Sequence, residues 1–167
     1  MKIQKAKHVW SVLCEKSTID SDSNNITLFN ITEQINIPKA ISVHVGEAPE
    51  TDQNPQGIFF NRELVTLWRR DTGAELESFG FDAKIELIDP KGKLLQTMEF
   101  SPEFQHFRRL RTRINWQILP TTLAGEYLFR VLIRDGKDFE MVSEVPLEVV
   151  LNVTGVSEPQ MQFAEEK

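Results

Sequence analysis

Arginine supplies the most distinctive chemistry in this sequence. Arg109, Arg111 and Arg113 occupy alternate positions, and Arg130 and Arg134 follow further on. A guanidinium presents five donors in a planar fork and binds phosphate or carboxylate through paired hydrogen bonds. Such a row is a candidate site for a small anion, a nucleic acid or an acidic partner segment. On a strand the three alternate residues share one face, with Asn115 and Gln117 continuing the stripe. Arg130 and Arg134 fall on the following strand, which a short connection makes the expected neighbour, so the five would form one basic surface. The competing reading pairs them across strands with outward carboxylates such as Glu86, Glu99, Glu144 and Glu148. Trp68, Arg69 and Arg70 form a second candidate contact, because tryptophan and arginine dominate interface hot spots. Core packing of Trp68 is the alternative there.

Other residue clusters carry weaker signals. Asp20-Ser-Asp-Ser-Asn24 has oxygens at alternate positions, as the start of a calcium loop does, but it lacks the glycine and the bidentate glutamate that such a loop needs. An Asx-rich hairpin connection is the expected reading. Cys14 alternates with Trp10 and Val12 and reads as a buried, inert thiol, although pairing with His8, His44 or His106 is conceivable chemistry. The histidines show no metal-ligand spacing, and one cysteine excludes a disulfide framework and a multi-cysteine metal site. There is no glycine-rich phosphate loop, nucleophile elbow or HExxH, so no catalytic residue, cofactor or metal is assigned.

The elements that must position these residues are strands. Phe79, Phe81, Ala83, Ile85 and Leu87 alternate with polar residues, and Asp89-Pro90-Lys91-Gly92 then supplies a tight reversal into residues 94–100. Tyr127, Phe129, Val131 and Ile133 alternate up to Asp135-Gly136, a hairpin signal, and the partner strand carries Val145, Leu147, Val149, Leu151 and Val153 on one face. Pro146 cannot donate a ladder hydrogen bond, which implies an edge or a bulge there. Residues 8–16, 26–37 and 58–70 are further strands, with a short one at Ile41–Val45 and a long loop over 47–57. Ser101-Pro102-Glu103 suggests a turn of helix near 102–106, followed by a strand from about Arg109 to Leu119. About eight strands, little helix and 167 residues give an all-β antiparallel sandwich over 1–154, with a loose acidic tail over 155–167.

Gly125-Glu126-Tyr127-Leu128-Phe129 resembles the approach to the sixth strand of an immunoglobulin-type domain, with Tyr127 as the tyrosine of a tyrosine corner. Leu123 stands where that pattern has aspartate, and Phe129 where it has the disulfide cysteine. The resemblance implies a disulfide-free immunoglobulin-like sandwich. The layout is also similar to a family of uncharacterised small bacterial cytoplasmic proteins. The shared features are the strand with Cys14, the hairpin into Ile26–Ile35, and the pair Gly125–Val131 with Val145–Val150, within Met1–Val153. That family brings no catalytic motif.

Nineteen basic against twenty-five acidic residues give a net charge of −6, which argues against a general nucleic-acid binder. No apolar run is long enough for a signal peptide or membrane span, so the expected placement is cytoplasmic. The expected function is therefore a non-enzymatic intracellular binding or scaffold module for a protein partner or a second copy. It would use a sheet face, the 47–57 loop or the edge at Val145–Val153. An anion or nucleic-acid binder using the arginines is the alternative, and an enzyme without a recognisable motif comes third.

Overall fold

Alternating apolar and polar residues resolve into eleven strands and no helix in the computed structural model, which describes residues 6–38, 57–71, 77–120 and 123–152. The strands are β1 (Ala6–Ile19), β2 (Ile26–Ile31), β3 (Gln34–Pro38), β4 (Gly57–Arg70), β5 (Phe79–Gly80) and β6 (Ala83–Ile88). They continue as β7 (Leu94–Phe100), β8 (Glu103–Phe104), β9 (Arg109–Pro120), β10 (Gly125–Asp135) and β11 (Asp138–Asn152). One sheet has the order β2-β1-β4-β9 and the second β3-β11-β10-β6-β7, while β5 and β8 form a small third sheet. All pairings are antiparallel except β3 with β11, which run parallel from Glu148↔Gln34 to Asn152↔Pro38.

The two larger sheets face each other across one apolar core. Leu64 and Trp68 of β4, Trp116 and Leu119 of β9, Ile85 and Leu87 of β6, and Phe129, Val131 and Ile133 of β10 all belong to it. Phe129 joins the two layers, lying edge-on to Trp116 at 5.1 Å and stacked on Phe60 at 6.4 Å. Each such aromatic pair adds about 0.5–1.5 kcal/mol beyond its burial.

Two hairpins follow from their turn chemistry. Asp89 accepts the amides of Lys91 and Lys93 on Oδ1, and Gly92, at φ +80°, takes the left-handed position that ends the β6–β7 turn. Gly136, at φ +71°, opens the β10–β11 loop, where Asp135 faces Asp138. Gly125 has a different reason to be glycine. Its φ is +122°, and a Cβ there would sit 3.1 Å from Pro90 of the β6–β7 turn.

The β1–β2 hairpin folds back over the outside of the first sheet. Trp10 lies opposite Leu67, and Leu67 lies opposite Arg111. Nine further residues of flat strand would carry Ile19 roughly 30 Å from Trp10. Yet the turn that follows places Asn24 in hydrogen-bond contact with Arg111, and Ser17 is bonded to Glu63. The hairpin therefore bends across β4 towards β9. Cys14, Val65 and Leu67 are buried on this outer side, apart from the main core, which is why Leu13 and Cys14 are both buried although they are neighbours on a strand.

Several expectations change. Residues 26–37 are not one strand: β2 and β3 lie in different sheets. Residues 79–87 split into β5 and β6, and the expected turn of helix near 102–106 is the strand β8, whose Phe104 stacks on Phe79 of β5. The all-β class holds, with eleven strands in three sheets among the described residues where about eight strands were expected. The Val145–Val153 segment is not a free edge, since β3 covers Glu148–Asn152. Pro146 lies just before that coverage begins, where its missing amide costs no ladder bond with β3. The expected strand at Ile41–Val45, the 47–57 loop except Gly57, and the 155–167 tail lie outside the described residues.

Candidate functional site

β9 and β10 belong to different sheets, so Arg109, Arg111 and Arg113 do not share a surface with Arg130 and Arg134 as adjacent strands would. Arg130 Nε donates to Glu144 Oε1 at 2.7 Å, and Arg134 Nε donates to Asp82 Oδ2 at 3.0 Å. Both are the cross-strand pairing that competed with a binding role. Trp68 is fully buried, with Nε1 donating to Thr112 Oγ1 at 3.0 Å, so it is core and not an exposed anchor. Arg70 is 4% exposed. Its guanidinium donates to the carbonyls of Phe107, Glu77 and Gln105 and lies over the rings of Phe79 and Phe104. It fastens the segments around β5 and β8.

What remains of the arginine face lies outside the first sheet. Lys7, Arg69 and Arg109 stand directly opposite one another across β1, β4 and β9. Lys7 is paired with Asp71 at 2.9 Å. Among the described residues no carboxylate lies within salt-bridge distance of Arg69, Arg109 or Arg113. Like charges placed opposite each other on a sheet are destabilising, so this row is kept at a cost. Arg111 gives Nη1 and Nη2 to Oδ1 and O of Asn24, while its buried Nε has no acceptor.

Around the corner from that face, β9 and β7 form the edges of the two sheets on the same side of the molecule, and a groove of about 520 Å³ runs between them. Leu95, Gln96 and Met98 line it from β7, and Trp116, Ile118 and Pro120 line it from β9. Trp116 is 2% exposed, and its indole Nε1 is buried without a hydrogen-bond partner. A buried donor left unpaired costs about 1–3 kcal/mol, and Trp116 carries that cost in the wall of the groove. Phe59 and Ile118, opposite each other on β4 and β9, are 80% and 57% exposed. Ile118 lines this groove and Phe59 the recess beside β3, and a bulge at Phe60 and Asn61 (φ +38°) shifts the phase of alternation between them and the rest of β4. Sequence reading missed this groove; its only local mark was the polar Gln96 within the apolar stripe of residues 94–100.

The remaining polar groups serve the fold. His8 Nε2 lies 2.8 Å from Ser11 Oγ, which lies 3.0 Å from Thr66 Oγ1, forming a hydroxyl seam on the inner side of the first sheet. A serine beside a histidine is part of a hydrolytic constellation, but among the described residues no carboxylate contacts the ring. Burial holds the His8 pKa below its usual value. Burial also pushes the Cys14 thiol up, with the Glu63 charge adding to it, so the thiol stays neutral. Asp20 Oδ1 accepts the amides of Asp22 and Ser23 and the Ser23 hydroxyl, which lowers its pKa and turns the carboxylate into a hairpin cap. Among the described residues no three His, Cys, Asp or Glu side chains converge as metal ligands, and no helix is long and apolar enough to cross a membrane. A second recess of about 620 Å³ lies beside β3 and the β4 bulge. Its Arg62 is already bonded to Thr32 and to the carbonyls of Phe60 and Asn61.

Comparison with protein-family models gives no match, and comparison with curated proteins gives none.

Proposed function

We propose that this chain is a non-enzymatic protein-binding module that holds an extended segment of a partner on its β7–β9 side. The observation that carries this reading is the groove between two sheet edges, with the unpartnered indole of Trp116 in its wall. A groove lined by aliphatic and aromatic side chains with a few polar groups is the usual form of a peptide site. The scaffold is proposed to be immunoglobulin-like. That assignment is supported by the parallel β3–β11 pair beside β10 and β6, and by Tyr127, whose hydroxyl donates to Leu123 O at 3.1 Å as a tyrosine corner requires. The single, buried cysteine suits a cytoplasmic setting.

Selection from a displayed random-peptide library tests the reading. Enriched peptides are expected to shift the Trp116 indole N–H resonance and to lose binding in Met98→Arg. Arg130→Ala, on the far side of the second sheet, is expected to leave binding intact. Enrichment insensitive to Met98→Arg, or none, overturns the groove as the site.

One observation favours a second reading, an anion or nucleic-acid binder. The unneutralised Arg69 and Arg109, with Lys7 beside them, make a local positive surface on an acidic protein. Anisotropy of labelled oligonucleotides should then fall steeply between about 50 and 200 mM salt and vanish in Arg69→Glu/Arg109→Glu. Absence of binding at low salt removes this reading.

A further inference from the structure

We propose that the partner joins β9 as an added strand, and that the segment recognised alternates acidic with apolar side chains. This rests on the protein-binding reading above and names the chemistry of what is bound.

β9 pairs with β4 from Arg69↔Arg109 to Gly57↔Pro120, and among the described residues no strand pairs with its other side. Twelve residues of edge therefore offer backbone donors and acceptors to an incoming chain. The two faces of this edge differ in chemistry. Arg109 and Arg113 are exposed on the outer face, with no carboxylate partner among the described residues. Leu110, Ile114 and Trp116 turn inward, towards the core and the groove.

A strand has period two, so a chain laid against β9 places every second side chain beside the arginines and the others over the groove. Carboxylates satisfy the first set, and aliphatic side chains fill the space between Met98 and Trp116. Arginines on an edge discourage indiscriminate pairing, because an apolar strand would strand them beside methyl groups. An acidic strand meets no such obstacle. A second copy of β9 is the less favourable occupant, since a two-fold axis over its arginine half sets arginine against arginine.

The test uses a fluorescein-labelled peptide of about ten residues alternating Glu and Val, long enough to span most of β9. A control has the same composition with the Glu and Val residues in two blocks. Two further versions are N-methylated on the odd or on the even residues. The alternating peptide is expected to bind the full chain and to weaken at least about tenfold in Arg109→Glu/Arg113→Glu. Arg109→Gln/Arg113→Gln, which removes charge without adding the opposite sign, serves if the first variant misfolds. One methylated phase is expected to abolish binding and the other to preserve it, because only alternate amides face β9.

Equal binding of the block peptide, or of both methylated phases, overturns strand addition. If the alternating peptide fails while library peptides of other composition bind the groove, the acidic strand falls and the binding-module reading stands. If neither binds, both fall. Light scattering of the free protein covers the other occupant: dimerisation abolished by Arg113→Glu would assign the edge to a second copy and overturn the proposal.

Discussion

Arg69 and Arg70 are adjacent in sequence and opposite in fate, because alternation turns one outward and the other inward. Arg70 is enclosed by carbonyls and aromatic rings, so Arg70→Met removes charged hydrogen bonds to three backbone carbonyls at once. A loss of about 3–5 kcal/mol is expected from urea denaturation. Arg69→Ala is expected to change stability by less than about 0.5 kcal/mol, since it relieves like-charge contact and breaks no pairing among the described residues. His8 sets a pH dependence. Its folded pKa lies below the unfolded one, so the unfolded chain binds the extra proton first. Its contribution is intact above the ordinary histidine range and declines as pH falls through that range, levelling only below the folded pKa. Denaturation midpoints between about pH 7 and 5 should therefore slope less in His8→Gln than in the parent protein. An unchanged slope would remove His8 as the cause.

At the scale of elements, the back-folded β1–β2 hairpin acts as a cover for Cys14, Val65 and Leu67. One tie to the sheet is Glu63, which accepts both the amide and the hydroxyl of Ser17; the other is Arg111, which donates to Asn24. Glu63→Ala is expected to release the hairpin locally and raise the rate at which a thiol reagent labels Cys14 by at least about tenfold, with global stability changing less. Equal labelling rates would mean that Cys14 is reached only by global unfolding. Where turn chemistry was explicit, the elements were legible: Asp89–Gly92 and Asp135–Gly136 gave their hairpins, and residues 58–70 and about 109–119 read as strands. Alternation could not report a change of sheet. Phe29, Ile31, Ile35 and Ile37 keep period two across the crossover at Thr32 and Glu33, so β2 and β3 looked like one strand. Ser101-Pro102-Glu103 starts a helix as readily as it enters a short strand, and here Phe104 is claimed by Phe79. The assumed neighbourhood of β9 and β10 failed because consecutive strands often cross between layers. The groove was illegible for the same reason: Met98 and Trp116 meet only once two sheets are stacked.

For the whole molecule, three hairpins are local, and the pairings that join them into sheets link distant parts of the chain. β1 needs β4, β4 needs β9, and β3 needs β11, with Gln34 opposite Glu148. Such topology predicts refolding on a timescale of milliseconds to about a second. Stopped-flow tryptophan fluorescence measures it, and a microsecond refolding phase carrying the full amplitude would contradict it. The parallel β3–β11 pair also determines how the protein bears load. Tension drawing the chain towards its beginning pulls β3 one way, while tension on its end pulls β11 the other, so the pair slides in shear instead of unzipping. Its five paired positions, Gln34 to Pro38 against Glu148 to Asn152, must then yield together, so force drawn between β3 and β11 meets a seam that resists more than a hairpin that unzips one pair at a time.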